Sequence, residues 1–501
     1  MKKAFAPFYS KMTKNLRGVI MKDATYYAQE LKSKNLSIDE LLAQIVTTAE
    51  QNQKLNAFVG TFNVADAKRE YEYTQNGIFG GLPLPLKILG QDKAGWAATS
   101  ASQIFKEAKA NQTNNFVAAL ADNGLTPFGQ TNAPEFGFKN ITDPTLYGVT
   151  RNPWNLQYSP GGSSGGAAAA VAAGIFPLAA ASDGGGSIRI PASFSGLIGL
   201  KPTRGTIPTG PTSWRDWQGA AINFALTVSM RDTKTLFYGM RGQHTAAPYQ
   251  APKIEWEKKV EKRKLKIAYT TTSPVGSQVS DEAKQAVAKA VTFLQAAGHD
   301  VVEIAYPLDG IQLIRAYYKM NGAETAAMFA EIEQAIGRKV TKEDMEPMTW
   351  AIYQSGLKTP AAKYVATLQA WDQAAFVMEE LFKDYDLFLT PTTAYSAPKI
   401  EAELVSKEIF EKIAHASLLD EDELDALIYE MFENSLTLSP FTQLANLTGE
   451  PAISLPTHVT ASGLPLGIQF MAAKGREDLL FQIGYIFEEN EKFQLPQAYQ
   501  E

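Results

Sequence analysis

The 501-residue sequence contains no cysteine, which excludes disulfide bonds, cysteine nucleophiles and thiolate metal sites. Histidine is scarce as well. The four histidines are scattered, and no two have the spacing of a helical metal site: His244, His299, His415 and His458. A catalytic triad built on histidine is therefore disfavoured, and we expect neither a metal nor another cofactor.

A strong charge of either sign is also lacking. The net charge is −6, and 20% of the residues are charged against 45% hydrophobic, as in ordinary globular proteins. No basic surface for nucleic acid is indicated. The first fifteen residues, MKKAFAPFYSKMTKN, lack the apolar segment of a signal peptide. We therefore expect a cytoplasmic protein with no nucleic-acid partner.

Long hydrophobic runs are almost absent too, and residues 165–181 (GGAAAAVAAGIFPLAAA) come nearest to one. This run is rich in alanine and glycine, is interrupted by Pro177, and is shorter than the ~20 residues that a membrane span needs. We interpret it as a helix and a strand packed in a core, and expect no membrane partner.

The apolar spacing predicts helices over residues 25–33, 38–53 and 64–73, with Ser37 as an N-cap. From Gly80 onward short apolar runs alternate with Gly, Pro and Asn, which indicates buried strands joined by loops. A helix over 281–297, a strand over 300–304 and a mostly helical stretch over 309–384 follow. Residues 258–265 form a charged connector, and the acidic cluster 420–425 begins a helix. This order predicts an α/β fold.

The most informative stretch, residues 159–208, contains two Gly-Ser clusters, GGSSGG and DGGGS, on either side of the apolar run. Flexible linkers do not usually flank such a run, and neither cluster has the pattern of a phosphate-binding loop. A serine hydrolase needs an activated hydroxyl and N–H groups directed at an oxyanion. The segment from Asp183 to Ser187 supplies a serine and, through its glycines, several such N–H groups.

A serine nucleophile needs a base, and without cysteine and with little histidine the leading candidate is a lysine. Lys87 lies inside the apolar run GLPLPLKILG, where burial would lower its pKa and favour the neutral amine. On these residues alone, an edge-strand lysine with its amine in water is an equally good interpretation.

These motifs resemble the amidase signature family. GGSSGG, the apolar run, GGSIRIPAS and GLKPTRG follow the family's order, with 187 − 163 = 24 positions between the two serines. Five further segments match the family: GVTRNPW (148–154), QTNAPEF (130–136), LTPTTAYSAP (389–398), FTQLANLTGEPAISLP (441–456) and GLPLGIQF (463–470). The resemblance runs from about Asp23 to Glu488.

The resemblance implies one large α/β domain over 23–501, with a mixed central sheet covered by helices on both faces and an N-terminal extension over 1–22. It implies an amidase with Ser187 as nucleophile, Ser163 as the bridging residue after a cis peptide, and Lys87 as base. The implied oxyanion hole is formed by backbone N–H groups of Gly184, Gly185, Gly186 and Ser187, and the implied supporting residues are Ser164, Asp183 and Arg189.

Two positions depart from the family pattern. Ile88 stands where an aspartate commonly follows the lysine, which puts the anchoring of the next loop in doubt. Gly184 stands where Thr or Ile is frequent, and should loosen the oxyanion loop unless packing compensates. We expect the substrate pocket walls in residues 309–383 and 214–217.

Three functions remain open. The first is a free-standing amidase acting on small linear or cyclic amides, with motifs closest to those of members that act on aminohexanoate-type amides. The second is the glutamine-hydrolysing subunit of a tRNA-dependent amidotransferase. The third is a catalytically inactive binding scaffold. The helical first 80 residues could mediate a homodimer or simply pack on the sheet.

Overall fold

The computed structural model describes residues 21–253 and 263–500. The helices in this part of the chain are α1 Ala24–Lys32, α2 Ile38–Gln51, α3 Val64–Thr74, α4 Asn115–Asp122, α5 Gly165–Ala172, α6 Arg189–Ser195, α7 Met230–Met240, α8 Asp281–Ala296, α9 Gly310–Ile336, α10 Pro347–Leu357, α11 Ala361–Asp384, α12 Lys407–Ala414, α13 Glu421–Leu438, α14 Gln443–Thr448 and α15 Glu477–Glu489. The strands are β1 Phe58–Val59, β2 Leu82–Lys87, β3 Leu125–Thr131, β4 Ala179–Asp183, β5 Ile198–Lys201, β6 Ile222–Thr227, β7 Lys266–Tyr269, β8 Asp300–Glu303, β9 Leu387–Pro391, β10 Ala452–Val459 and β11 Pro465–Met471.

Eight strands form the large sheet in the order β4-β6-β5-β10-β11-β9-β7-β8. Most neighbours are antiparallel, whereas β7 pairs in parallel with both β8 and β9, so the sheet is mixed as expected. A smaller sheet has the order β1-β3-β2, with β2 and β3 parallel. The α/β fold with a mixed central sheet and surrounding helices is therefore confirmed.

The N-terminal helices follow their sequence signals. All three begin within one residue of the predicted start. Ser37 caps α2 as predicted: its hydroxyl accepts the Glu40 N–H, and the Glu40 carboxylate accepts the Ser37 N–H, a reciprocal capping box. The acidic cluster does begin a helix, since the Asp420 side chain accepts the N–H of Glu423 at the start of α13.

The Ala-rich run forms a helix and a strand, as expected. Every residue of α5 is buried, and β4 follows after a short turn. Small side chains on α5 let the helix approach its neighbours closely: a Cβ on Gly166 would lie 2.4 Å from the backbone nitrogen of Asn132. Among residues 21–253 and 263–500, no helix is long and apolar enough to cross a membrane.

Two predicted features fall wholly or largely outside the described residues. They are the N-terminal extension over 1–22, of which only the last two residues are described, and most of the charged connector over 258–265.

Candidate active site

Lys87 is the last residue of β2 and lies in the interior, with 1% of its surface exposed. Its Nζ donates to the Ser163 hydroxyl at 2.7 Å and to the Ser182 hydroxyl at 2.9 Å. The Lys87 N–H donates to Gln91 Oε1 at 2.6 Å, and Gln91 Nε2 donates to the carbonyl of Ala181 at 3.0 Å. The Gln91 amide therefore ties the loop after Lys87 to β4.

Burial lowers the pKa of Lys87 to about 7, and the nearby Asp183 carboxylate opposes this shift by favouring the cation. A lysine with this pKa is neutral in about half of the molecules at pH 7. The interpretation of Lys87 as an edge-strand residue with its amine in water is therefore wrong.

The segment before α5 brings two further serines to this point. The peptide bond between Gly162 and Ser163 is cis, as the resemblance implies. Ser164 donates its N–H to the carbonyl of Ser187 at 3.3 Å and its hydroxyl to the carbonyl of Ser182 at 3.1 Å. A Cβ on Gly162 would lie 2.5 Å from the backbone oxygen of Ile141, so this turn requires glycine.

Ser187 follows the glycine loop at the start of α6. It is partly exposed, whereas Ser163 and Lys87 are buried. The Ser187 hydroxyl makes no hydrogen bond to any residue that the structure describes, Ser163 included. The structure thus joins Lys87 to Ser163 directly, and holds Ser187 beside them through the Ser164 N–H.

Asp183 and Arg189 form a fully buried ion pair next to the serines. Arg189 Nε and Nη2 donate to the two carboxylate oxygens of Asp183 at 2.9 and 3.0 Å. Asn446 and Gln469 accept from the remaining guanidinium N–H groups at 2.6 and 2.7 Å. Although burial alone would raise it, the pKa of the Asp183 carboxyl is lowered to about 2 by Arg189 and the Asn446 amide. The pair is fully hydrogen-bonded, as a buried ion pair must be.

The glycine loop differs from expectation at one position. Gly186 donates its N–H to the Asp183 carboxylate at 2.7 Å, so in this conformation it is not free to bind an oxyanion. No described residue accepts the N–H groups of Gly184, Gly185 or Ser187. The loop is also fixed from outside, because Thr442 donates its hydroxyl to the Gly185 carbonyl at 2.7 Å.

Aromatic side chains press on the same loop. A Cβ on Gly184 would lie 2.9 Å from the ring of Trp217, and one on Gly185 would lie 2.5 Å from the Tyr317 hydroxyl oxygen. Trp217 therefore fills the space that a larger residue at position 184 would need, which is the packing compensation that this glycine requires. Trp217 itself stacks on Phe138, with ring centroids 5.9 Å apart and planes 6° apart.

A narrow cavity of about 60 Å³ reaches Ser187. Its walls are Gly137, Phe138, Lys139, Asn140, Gly185, Ile190, Trp217, Tyr317, Tyr318, Asn321, Phe432, Ser435, Leu436, Ser439 and Gln443. A larger cavity of about 280 Å³ lies between α9, α11 and α13 and shares Tyr318, but none of the predicted site residues lines it. The cavity at Ser187 is the one that the chemistry concerns.

The pocket walls were predicted in part. Trp217 and α9 do line the cavity, but the loop at 137–140 and the α13–α14 segment also contribute and were not foreseen. Ser182, the second partner of Lys87, was missed because nothing distinguishes it from its neighbours in the apolar run. Asn446 and Gln469 lie within segments that match the family but carried no predicted role. No three His, Asp or Glu side chains in the described part of the chain are placed to hold a metal ion.

Comparisons with known proteins agree with this geometry. The family model described as Amidase matches residues 40–481. The chain is 39% identical over 93% of its length to a lipoamidase of Enterococcus faecalis, and it spans 63% of that protein. It is 33% identical to a 6-aminohexanoate-cyclic-dimer hydrolase of Pseudomonas sp. (strain NK87), covering 93% of this chain and 94% of the relative.

A solved structure gives the same picture. The substrate complex of 6-aminohexanoate cyclic dimer hydrolase superposes with a TM-score of 0.85 at 32% identity, covering 95% of this chain and 99% of the other. A glutamyl-tRNA(Gln) amidotransferase polypeptide of Neisseria meningitidis is 29% identical over 88% of this chain and 92% of its own length. The matches extend over nearly the whole described chain, and so cover every residue of the site.

Proposed function

Since this chain belongs to the amidase signature family and is therefore an amide-hydrolysing enzyme, we propose that it cleaves small linear or cyclic carboxamides through a Ser187 acyl-enzyme. The observation that carries this proposal is the contact between Lys87 Nζ and the Ser163 hydroxyl, 2.7 Å long and buried, beside Ser187. A buried amine with a pKa near neutrality is suited to accept a proton at physiological pH.

In the first proposed step, Ser187 Oγ attacks the carbonyl carbon of the amide. Its proton passes to Ser163 Oγ, whose own proton passes to the neutral Lys87 Nζ. The tetrahedral intermediate then breaks its C–N bond, and the proton returns along the same path to the departing nitrogen as ammonia or an amine leaves. Water repeats the sequence on the acyl ester, which releases the carboxylic acid and restores Ser187.

Charge on the carbonyl oxygen would be stabilised by the free N–H groups of Gly184, Gly185 and Ser187. The Gly186 N–H has a different role in this proposal: it holds the loop to Asp183. Arg189 and Asp183 position the loop from below and touch no reacting atom. Ser182 and Ser164 position Lys87 and Ser187 through hydrogen bonds.

Fluorophosphonate labelling followed by intact-mass analysis and peptide mapping tests the proposal. We expect one adduct, located on Ser187 and absent from Ser187→Ala. Ser193→Ala is the matched control: it removes a buried hydroxyl from the same helix that bonds to Thr393 instead of the site. No adduct on the folded wild-type protein, or an adduct that persists in Ser187→Ala, would refute the assignment of the nucleophile.

The two other functions stand differently. A binding scaffold without activity is not supported, because the chain is an amide-hydrolysing enzyme. The glutamine-hydrolysing subunit stays a prediction, since the proposed triad is common to both. Purification of the chain alone with retained amidase activity would favour the free-standing enzyme, whereas activity that appears only with copurified subunits would favour the amidotransferase.

A further inference from the structure

Three side-chain amides stand around the cavity at Ser187. Asn140 follows β3, Asn321 lies on α9 and Gln443 begins α14, so they come from three separate parts of the chain. Asn321 is 5% exposed and Gln443 9% exposed. A buried amide normally has both its nitrogen and its oxygen hydrogen-bonded within the protein or to ordered water.

In each of the three, protein groups engage the nitrogen. Asn140 Nδ2 donates to the Ser435 carbonyl at 2.7 Å and to the Ser439 hydroxyl at 2.9 Å. Gln443 Nε2 donates to the Ser439 carbonyl at 3.0 Å. Since a carbonyl can only accept, these contacts fix which end of each amide is the nitrogen. Asn321 bonds to the hydroxyl of Tyr317.

The three oxygens are left over. Asn140 Oδ1, Asn321 Oδ1 and Gln443 Oε1 are buried, and no described residue donates a hydrogen bond to them. Leaving a buried acceptor unpaired is costly, and three such acceptors around one cavity are unusual. We propose that these oxygens bind N–H donors of the substrate, so that the preferred substrates carry a second amide or an ammonium group beyond the bond that is cleaved.

The charges around the cavity favour the same class of substrate. Lys139 is a cationic wall residue, and its Nζ is held by Asp143 at 3.0 Å and by Glu346 at 2.7 Å. One ammonium thus faces two carboxylates, and this part of the wall has no surplus positive charge. A substrate that ends in a carboxylate would meet acceptor oxygens and carboxylates, and is disfavoured.

This inference rests on the proposed function for its substrate, but its test does not depend on catalysis. Calorimetric titration of Ser187→Ala measures binding of four six-carbon amides that differ only at the far end: hexanamide, 6-aminohexanamide, adipamide and adipamate. The four-carbon analogues of each are measured in parallel, so that chain length does not decide the result.

At one chain length or both, the ammonium and second-amide ligands should bind at least about tenfold more tightly than the methyl-ended ligand, and the carboxylate-ended ligand most weakly. Adding Asn321→Leu or Gln443→Met should reduce this preference to within about threefold and leave the affinity for hexanamide equal or higher. Gln482→Met is the matched control: it removes another buried unpaired amide oxygen, on α15 and away from the cavity, and should retain the preference.

Equal affinities, preference for the carboxylate, preference that survives both cavity substitutions, or no binding by any of the amides would overturn the inference. These outcomes are separable from failure of the proposed function. Loss of fluorophosphonate labelling in wild type with the binding order intact would refute the acyl-enzyme and leave the donor preference standing.

Discussion

The pH dependence of serine labelling is the sharpest test of the proposed base, because the chain contains two buried lysines of the same kind. Lys87 and Lys201 are 1% and 2% exposed, and burial lowers the pKa of each to about 7. Only Lys87 contacts Ser163. Lys201 Nζ donates instead to the carbonyl of Pro202 at 2.8 Å. Lys201→Met is therefore a matched control for Lys87→Met.

The expected magnitude follows from the fraction of neutral amine. With a pKa of about 7, about half of the Lys87 side chains are neutral at pH 7 and ~1% at pH 5, so the labelling rate should fall about fiftyfold between them. It should level off above about pH 8. An ordinary lysine would be neutral in only about one molecule in 3000 at pH 7, and its profile would still be rising at pH 9.

The assay is the second-order rate of fluorophosphonate labelling from pH 5 to 9, measured by intact mass. Wild type and Lys201→Met should show the same profile, with half-maximal rate near pH 7. Lys87→Met should be slower by about 10² or more and should lose this transition. A Lys87→Met profile that keeps its midpoint near pH 7, or a Lys201→Met profile that loses it, would refute the assignment.

Three further predictions concern the same interior. Lys87→Met should raise the free energy of unfolding at pH 7 by at least ~1 kcal/mol, because the buried amine titrates below its unfolded value; the wild-type deficit should shrink as pH rises from about 7 to 10, as urea unfolding at several pH values would show. Arg189→Met should cost about 3–5 kcal/mol in the same assay, since it leaves Asp183 buried and unpaired. Gly184→Ile should lower amidase kcat/KM by about tenfold or more through contact with Trp217, and adding Trp217→Ala should recover part of the loss; additive losses would contradict this reasoning.

Much of the secondary structure was predictable, because local signals decide it. Ser37 and Glu40 specify the start of α2 by themselves, and the small residues of α5 permit a helix that is buried all round. The strand order was not predictable. The central strands β5, β10 and β11 pair across long stretches of sequence, and no local pattern specifies partners at such distances.

The site was predictable only where residue type restricts the chemistry. Without cysteine and with few histidines, a lysine base was the remaining choice, and the structure brings Lys87 to Ser163. The partners of Arg189 could not be deduced, because Asn446 and Gln469 lie more than 250 positions away and act only through their amide oxygens. The alternative partner of the Gly186 N–H depends on loop conformation, which composition does not determine.

Lys87 and Ser182 belong to different sheets. Lys87 ends a strand of the three-stranded sheet, and Ser182 lies on the edge strand β4 of the eight-stranded sheet. The low pKa of the amine therefore exists only after the two sheets have docked. Before docking, the lysine is an ordinary cation and Ser187 has no base, so an incompletely folded chain carries an unreactive serine. Acyl transfer to bystander molecules is thereby withheld until the last long-range contacts of the fold are made.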